Sequence, residues 1–102
     1  PVLLKINAMG SLNLMTSFVY VLGSADQKMG PKTYVGWTID LERRLAEHNA
    51  GKGAKSTRGR SWVLIYAERY ETQHEAMSRE WHLKRDRALR KQLRTAAELC
   101  YK

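Results

Sequence analysis

The sequence predicts a small α/β (α+β) domain whose elements run in the order β, β, α, β, α, α. Three observations carry that expectation. Short runs rich in β-branched and aromatic residues surround Phe18, Thr33 and Trp62, and capped helical stripes follow Asp40, Thr72 and Asp86. The length of 102 residues, with 43% hydrophobic content, suffices for one modest core and no second domain.

Residues 1–16 mix apolar and small polar types without a sustained period, and are expected to form a weakly ordered lead. The uncharged run 6–25 carries Asn7, Gly10, Ser11, Asn13, Thr16, Ser17 and Gly23, too polar a set for a membrane span. Lys5 is its only basic lead, which argues against a secretory signal. Phe18-Val19-Tyr20-Val21-Leu22 reads as a strand ending at Gly23-Ser24. The stretch 24–32, with Asp26, Gly30 and Pro31, reads as a long hairpin tip before a returning strand, Thr33-Tyr34-Val35-Gly36-Trp37.

Asp40 can cap a helix whose Leu41 and Leu45 form the apolar stripe and whose stop is Asn49-Ala50-Gly51. Residues 51–60, GKGAKSTRGR, hold four positive charges, no negative ones and three glycines, the composition of a mobile basic loop. The run 62–70 is apolar on both alternating sets, so both faces of that strand are expected to be covered. Thr72-Gln73-His74-Glu75 is a capping box opening a helix to about Lys84. Asp86 can cap a last helix toward Leu99, with Leu89, Leu93, Ala96 and Leu99 turned to the sheet. Residues 17–85 thus form the main body, and 86–102 a basic C-terminal helix packed on it.

Lys plus Arg number 18 against 10 for Asp plus Glu, a net charge of +8 that favours a polyanionic partner, nucleic acid before membrane or acidic protein. The excess is concentrated late: from Arg79 onward eight basic residues face three acidic ones. The single Cys100 excludes an intrachain disulfide, no Cys/His spacing suits zinc, and a reducing compartment, the cytoplasm, is expected. His74 and His82 read as surface residues.

Some positions break the local pattern. In the helix from Thr72, a step of about 100° per residue puts Glu80 inside the apolar arc of Ala76, Met77, Trp81 and Leu83. An inward carboxylate needs a cation, a metal or a shifted pKa to be tolerated there, and the simpler alternative is an arginine salt bridge or a place at the edge of the buried face. Arg44 and His48 are four apart on one helix face bordering the core, and Tyr20 and Tyr34 sit on the two strands of the hairpin.

The ordered set Phe18-Val19-Tyr20, Thr33-Tyr34-Val35-Gly36, Arg44, His48 and a later Glu80 resembles the GIY-YIG nuclease superfamily, in particular its small single-domain bacterial members. The likeness covers residues 17–85 and includes Leu41-Glu42-Arg43-Arg44-Leu45-Ala46-Glu47-His48-Asn49. It implies a three-stranded antiparallel sheet flanked by helices, and an endonuclease site in which Tyr20, Tyr34, Arg44, His48 and Glu80 cut a phosphodiester bond in DNA. Glu80 would hold one Mg²⁺ or Mn²⁺, Arg44 would grip the phosphate, and either Tyr20 or His48 would take the proton from water, with Tyr34 orienting the phosphate or that water. The sequence departs from the family pattern in Phe-Val-Tyr for Gly-Ile-Tyr, in a longer connection between the tyrosines, in Trp37 where some relatives have lysine, and in the absence of an asparagine after Asn49.

Lys52, Lys55, Arg58 and Arg60 are expected to contact the nucleic-acid backbone without reading sequence. The rival reading is a non-catalytic nucleic-acid-binding module that uses the loop 51–60 and the C-terminal helix. Branched or damaged DNA and RNA are all open as targets, no membrane partner is expected, and the oligomeric state is not legible.

Overall fold

The computed structural model describes residues 3–6, 15–26 and 28–100. Its elements are β1 (Leu3–Ile6), β2 (Ser17–Asp26), β3 (Gly30–Thr38), α1 (Leu41–Asn49), β4 (Val63–Tyr70), α2 (Gln73–Arg85) and α3 (Arg87–Cys100), with a single 3₁₀ turn at Lys55–Thr57. The sheet order is β1-β4-β2-β3. β2 lies in the middle of an antiparallel three-stranded unit with β3 and β4, as the sequence leads one to expect.

Within the lead of residues 1–16, Leu3–Ile6 form a short strand that the sequence reading did not include, paired in parallel with Tyr66–Arg69 of β4. Four residues are too short for a periodic signal, but they supply hydrogen-bond partners to the outer edge of β4. Residues 1, 2 and 7–14 lie outside those described. The hairpin tip is also tighter than expected: β2 and β3 stay paired from Phe18↔Thr38 to Asp26↔Gly30. Asp26 accepts from the backbone N–H groups of Lys28 and Met29 and so closes the turn.

Each helix begins where a capping side chain was expected. The Asp40 carboxylate accepts from Arg43 N at 3.0 Å, the Thr72 hydroxyl from Glu75 N at 3.2 Å, and the Asp86 carboxylate from Leu89 N at 3.0 Å. Both sheet faces are covered. Val19, Val21, Val35 and Ile65 pack with Ala76 and Leu83 of α2 and Leu93 of α3, whereas Tyr20, Leu22, Ala67 and Trp62 pack with Tyr34, Leu41 and Leu45 on the α1 face.

A β-bulge in β4 opposite Val21/Leu22 breaks simple alternation. Ile65 and Tyr66 both join the α2/α3 face, while Leu64 and Ala67 join the α1 face. The arc of α2 is narrower than its sequence suggests, since Ala76 and Leu83 are buried but Met77 and Trp81 are about half exposed. On α3 Leu89, Leu93 and Ala97 pack on the core while Ala96 is exposed, and the side chain of Leu99, the fourth residue expected on that stripe, lies outside those described. No helix among the described residues is long and apolar enough to cross a membrane.

Candidate active site

Because β2 and β3 are adjacent and in register, Tyr20 lies opposite Gly36 and Leu22 opposite Tyr34, which puts both tyrosines on the α1 face. Their ring centroids are 6.3 Å apart. The residue that permits this is Gly36: a Cβ there would stand 2.5 Å from the Tyr20 hydroxyl oxygen and 3.0 Å from the Tyr34 ring. Position 36 is therefore closed to any side chain while the tyrosines keep their places.

His48 comes from the last turn of α1 and is fully buried between the two phenols and the 51–60 segment. Its ring centroid is 4.9 Å from that of Tyr34, and its Nε2 is 2.8 Å from the Tyr20 hydroxyl. Its Nδ1 is 2.8 Å from the Thr57 hydroxyl oxygen. Thr57 has one proton to give, and it is directed at the Ala54 carbonyl, 2.8 Å away, which can only accept. The Thr57 oxygen must therefore accept from His48 Nδ1–H. That leaves Nε2 with its lone pair, so the Tyr20 hydroxyl donates to it. Donor counting thus assigns both the tautomer and the direction of the chain Tyr20 to His48 to Thr57 to Ala54.

The segment 51–60 is held against this chain. Gly53 presents backbone so close to the imidazole that a Cβ would collide with Nδ1. Trp62 donates its indole N–H to the Thr57 carbonyl at 2.8 Å, and Asn49 pairs with the backbone of Trp62 through both ends of its amide. The expectation of a mobile loop is corrected accordingly: a fully buried threonine and a buried tryptophan anchor it. Among its cations, Lys52, Lys55 and Arg58 are exposed, whereas Arg60 donates to the carbonyls of Gly30 and Met29 and braces the hairpin tip.

Arg44 and Glu80 are the two remaining candidates. Arg44 pairs with Glu47 at 3.1 Å and keeps nearly a third of its side chain exposed. Burial pushes the Tyr20 phenol up to about 12, the Arg44 guanidinium beside it works in the opposite direction, and the charges of Tyr34 and Glu80 add to the rise. Burial likewise raises Tyr34, with Arg44 opposing and Glu80 assisting. Both phenols thus feel the guanidinium and the carboxylate. Burial lowers His48, Arg44 lowers it further and Glu47 acts against them, so the imidazole is held neutral.

Glu80 lies on the α2 arc between Ala76 and Leu83, is 21% exposed, and reaches Lys84 only at 3.7 Å. No group of three or more His, Cys, Asp and Glu side chains capable of holding a metal occurs among the described residues. A lone, loosely paired carboxylate suits a hard ion that keeps most of its waters, and does not suit zinc.

One buried acid had no warning in the sequence. Glu68 of β4 is 1% exposed and points to the α2 face, opposite the active-site face. It accepts from Arg79 at 2.9 and 3.1 Å and from the hydroxyls of Tyr66 and Tyr70. Burial pushes its pKa up, but the guanidinium and the two phenol donors outweigh that and hold it below the usual carboxylate range. All its acceptor capacity is used, so it ties α2 to the sheet and has none left for a ligand.

The sequence profile of the GIY-YIG catalytic domain matches residues 16–92, a stretch that carries Tyr20, Tyr34, Arg44, His48 and Glu80. A UPF0213 protein of Natronomonas pharaonis is 48% identical over 68 residues, covering 66% of this chain and 75% of the relative. Another from Clostridium perfringens is 46% identical over 70 residues, 68% of this chain and 71% of the relative. The solution NMR structure of a UPF0213 protein of Bacillus halodurans is 37% identical, covers 80% of this chain and 85% of that one, and superposes with a TM-score of 0.45. The chain belongs to the UPF0213 family of small GIY-YIG proteins, mostly bacterial and some archaeal.

Proposed function

We propose that the protein is a divalent-metal-dependent endonuclease that hydrolyses phosphodiester bonds in DNA at the site formed by Tyr20, Tyr34, Arg44, His48 and Glu80. The observation that carries the reading is that the Tyr20 hydroxyl, hydrogen-bonded at 2.8 Å to a buried neutral imidazole, shares its surroundings with one guanidinium and one carboxylate. Glu80 would hold a single Mg²⁺ or Mn²⁺, which supplies Lewis-acid neutralisation of the phosphate when bound.

The remaining chemistry belongs to the chain. Arg44 grips a non-bridging phosphate oxygen with its planar fork. His48 is fully buried with both its nitrogens engaged, so in this proposal the hydroxyl on Nε2, that of Tyr20, a residue itself only 2% exposed, is the group that meets the attacking water. As Tyr20 takes a proton from water, its own proton passes to His48 Nε2. The imidazolium formed keeps one N–H on Tyr20 and the other on Thr57. A phenol with a pKa near 12 is a poor base at neutral pH by itself, and the adjacent imidazole provides the destination for its proton. Tyr34, half-buried against the His48 ring, orients the phosphate.

Lys52, Lys55 and Arg58 supply backbone contacts beside the site, with no base readout. The test is a panel of supercoiled, single-stranded and branched DNA and structured RNA, each with Mg²⁺, Mn²⁺ or chelator. Nicking of DNA that requires the metal and falls about 10² to 10³-fold in Arg44→Ala is expected. Binding without cleavage under every condition would favour a nucleic-acid-binding module.

A further inference from the structure

A second cationic surface lies on the other side of the edge strand. A groove of about 530 Å³ runs between the start of β3 and the outer arc of α3, with Lys32, Thr33, Arg87, Arg90, Lys91 and Arg94 along it. Of the eight residues that line it, Pro31 and Ala88 included, five are cationic, and no carboxylate lines the groove among the described residues. On α3 the spacing 87, 90/91, 94 places the cations on one arc, beside the Leu89, Leu93 and Ala97 arc that packs on the core. A solvated helix face normally intersperses both signs, and this one does not.

Arg90 shows that the surface is arranged and not merely basic. Its guanidinium donates to the Thr33 hydroxyl at 3.2 Å and to the Lys84 carbonyl at 2.9 Å, so it is fixed on the groove floor. Its Nε is buried without an acceptor among the described residues. A desolvated cationic donor left unpaired is costly, and an anion lying in the groove above it reduces that cost.

The position of the groove gives it meaning. Thr33 and Tyr34 are neighbours on the edge strand, and alternation sends Thr33 to the α3 side and Tyr34 to the catalytic side. Lys32 also reaches the Ser56 carbonyl at 3.3 Å, which joins the groove to the basic segment 52–60. Lys32 thus links the cations on the two sides of the β3 strand.

We infer that this α3 groove is a second phosphate-backbone site, which holds the duplex flanking the scissile bond where it passes over the β3 edge. The inference rests on the nucleic-acid reading above and is tested where cleavage plays no part. The binding of a fluorescent DNA duplex is followed by anisotropy in chelator at several salt concentrations, for the wild-type protein, for Arg87→Gln/Arg94→Gln and for Arg87→Glu/Arg94→Glu. Both substituted positions are exposed or half-exposed and make no hydrogen bond to the core, so folding is retained, as a thermal melt confirms.

Loss of two backbone contacts makes the slope of log K against log salt shallower by about 1.8 in the glutamine variant, with the glutamate variant weaker still. Metal-dependent hydrolysis of bis(p-nitrophenyl) phosphate, too small to reach the groove, stays at the wild-type rate. A wild-type slope in both variants overturns the groove assignment and leaves the nuclease reading standing. Absence of duplex binding by the wild type overturns the groove assignment, and the nuclease reading falls with it only if the substrate panel above shows no metal-dependent cleavage. Unchanged duplex binding together with lost flotation on phosphatidylcholine–phosphatidylserine vesicles would assign the groove to a membrane surface instead.

Discussion

At the scale of single residues, the chemistry depends on which nitrogen of His48 carries the proton. Thr57 decides this by spending its hydroxyl proton on the Ala54 carbonyl and leaving its oxygen to accept from Nδ1. Thr57→Val keeps the shape and removes the acceptor, so a fall in cleavage of about 10 to 100-fold is expected, as when the partner that orients a functional imidazole is lost. Thr57→Ser should restore most of it, and ¹⁵N shifts of the His48 ring should report a changed tautomer in the valine variant only. Tyr20→Phe removes the hydroxyl proposed to meet water and should cost about 10² to 10⁴-fold. Tyr20, Tyr34, Arg44, His48 and Glu80 were all visible in the sequence because they are chemically expensive residues in a recurring order. Thr57 and Gly53 were not, and Gly36 was legible only as a member of the Thr33-Tyr34-Val35-Gly36 motif, without its packing role. Their roles consist of a hydrogen-bond direction and two absent Cβ atoms, neither of which leaves a trace in composition or period.

At the scale of elements, caps and stripes were the legible features and register was not. Asp40, Thr72 and Asp86 each begin a helix because a side-chain acceptor followed by an apolar period is a local signal. The bulge in β4 is a two-strand property, so the alternation of Val63, Ile65 and Ala67 could not reveal that Ile65 and Ala67 face opposite ways. The segment 51–60 reads as a soft basic loop by composition, and only the tertiary contacts of Thr57 and Trp62 make it firm. Its exposed cations nevertheless remain free for phosphate. Lys52→Gln/Lys55→Gln/Arg58→Gln should make the salt dependence of DNA binding shallower by about 2.7 in slope, evenly across DNA sequences. A sequence-selective loss would mean that the segment reads bases.

At the scale of the whole molecule, the sheet separates two sets of titratable groups that favour the same pH direction for different reasons. His48 is held neutral below its ordinary value of 6.5, so the unfolded chain binds a proton more readily and stability falls as pH drops below about that value. Glu68, on the opposite face, is held ionised below its ordinary 4.5, so its contribution is complete above that pH and is lost as pH falls through its lower folded value. Thermal melts should therefore show a two-stage loss of stability on acidification. Glu68→Gln should remove the lower stage and cost about 3 kcal/mol at neutral pH by leaving Arg79 without its charge partner. A single transition at the same pH in both proteins would contradict that assignment.

In the proposed function, tyrosines of two strands, an arginine and a histidine of α1 and an acid of α2 act together in hydrolysis around one metal ion. The most direct measurement is of nicking and binding side by side for the wild type and Glu80→Gln, on the same supercoiled DNA with Mg²⁺. Nicking by the wild type, with loss of nicking and retention of affinity in the variant, is the expected result; equal nicking by both proteins would contradict it.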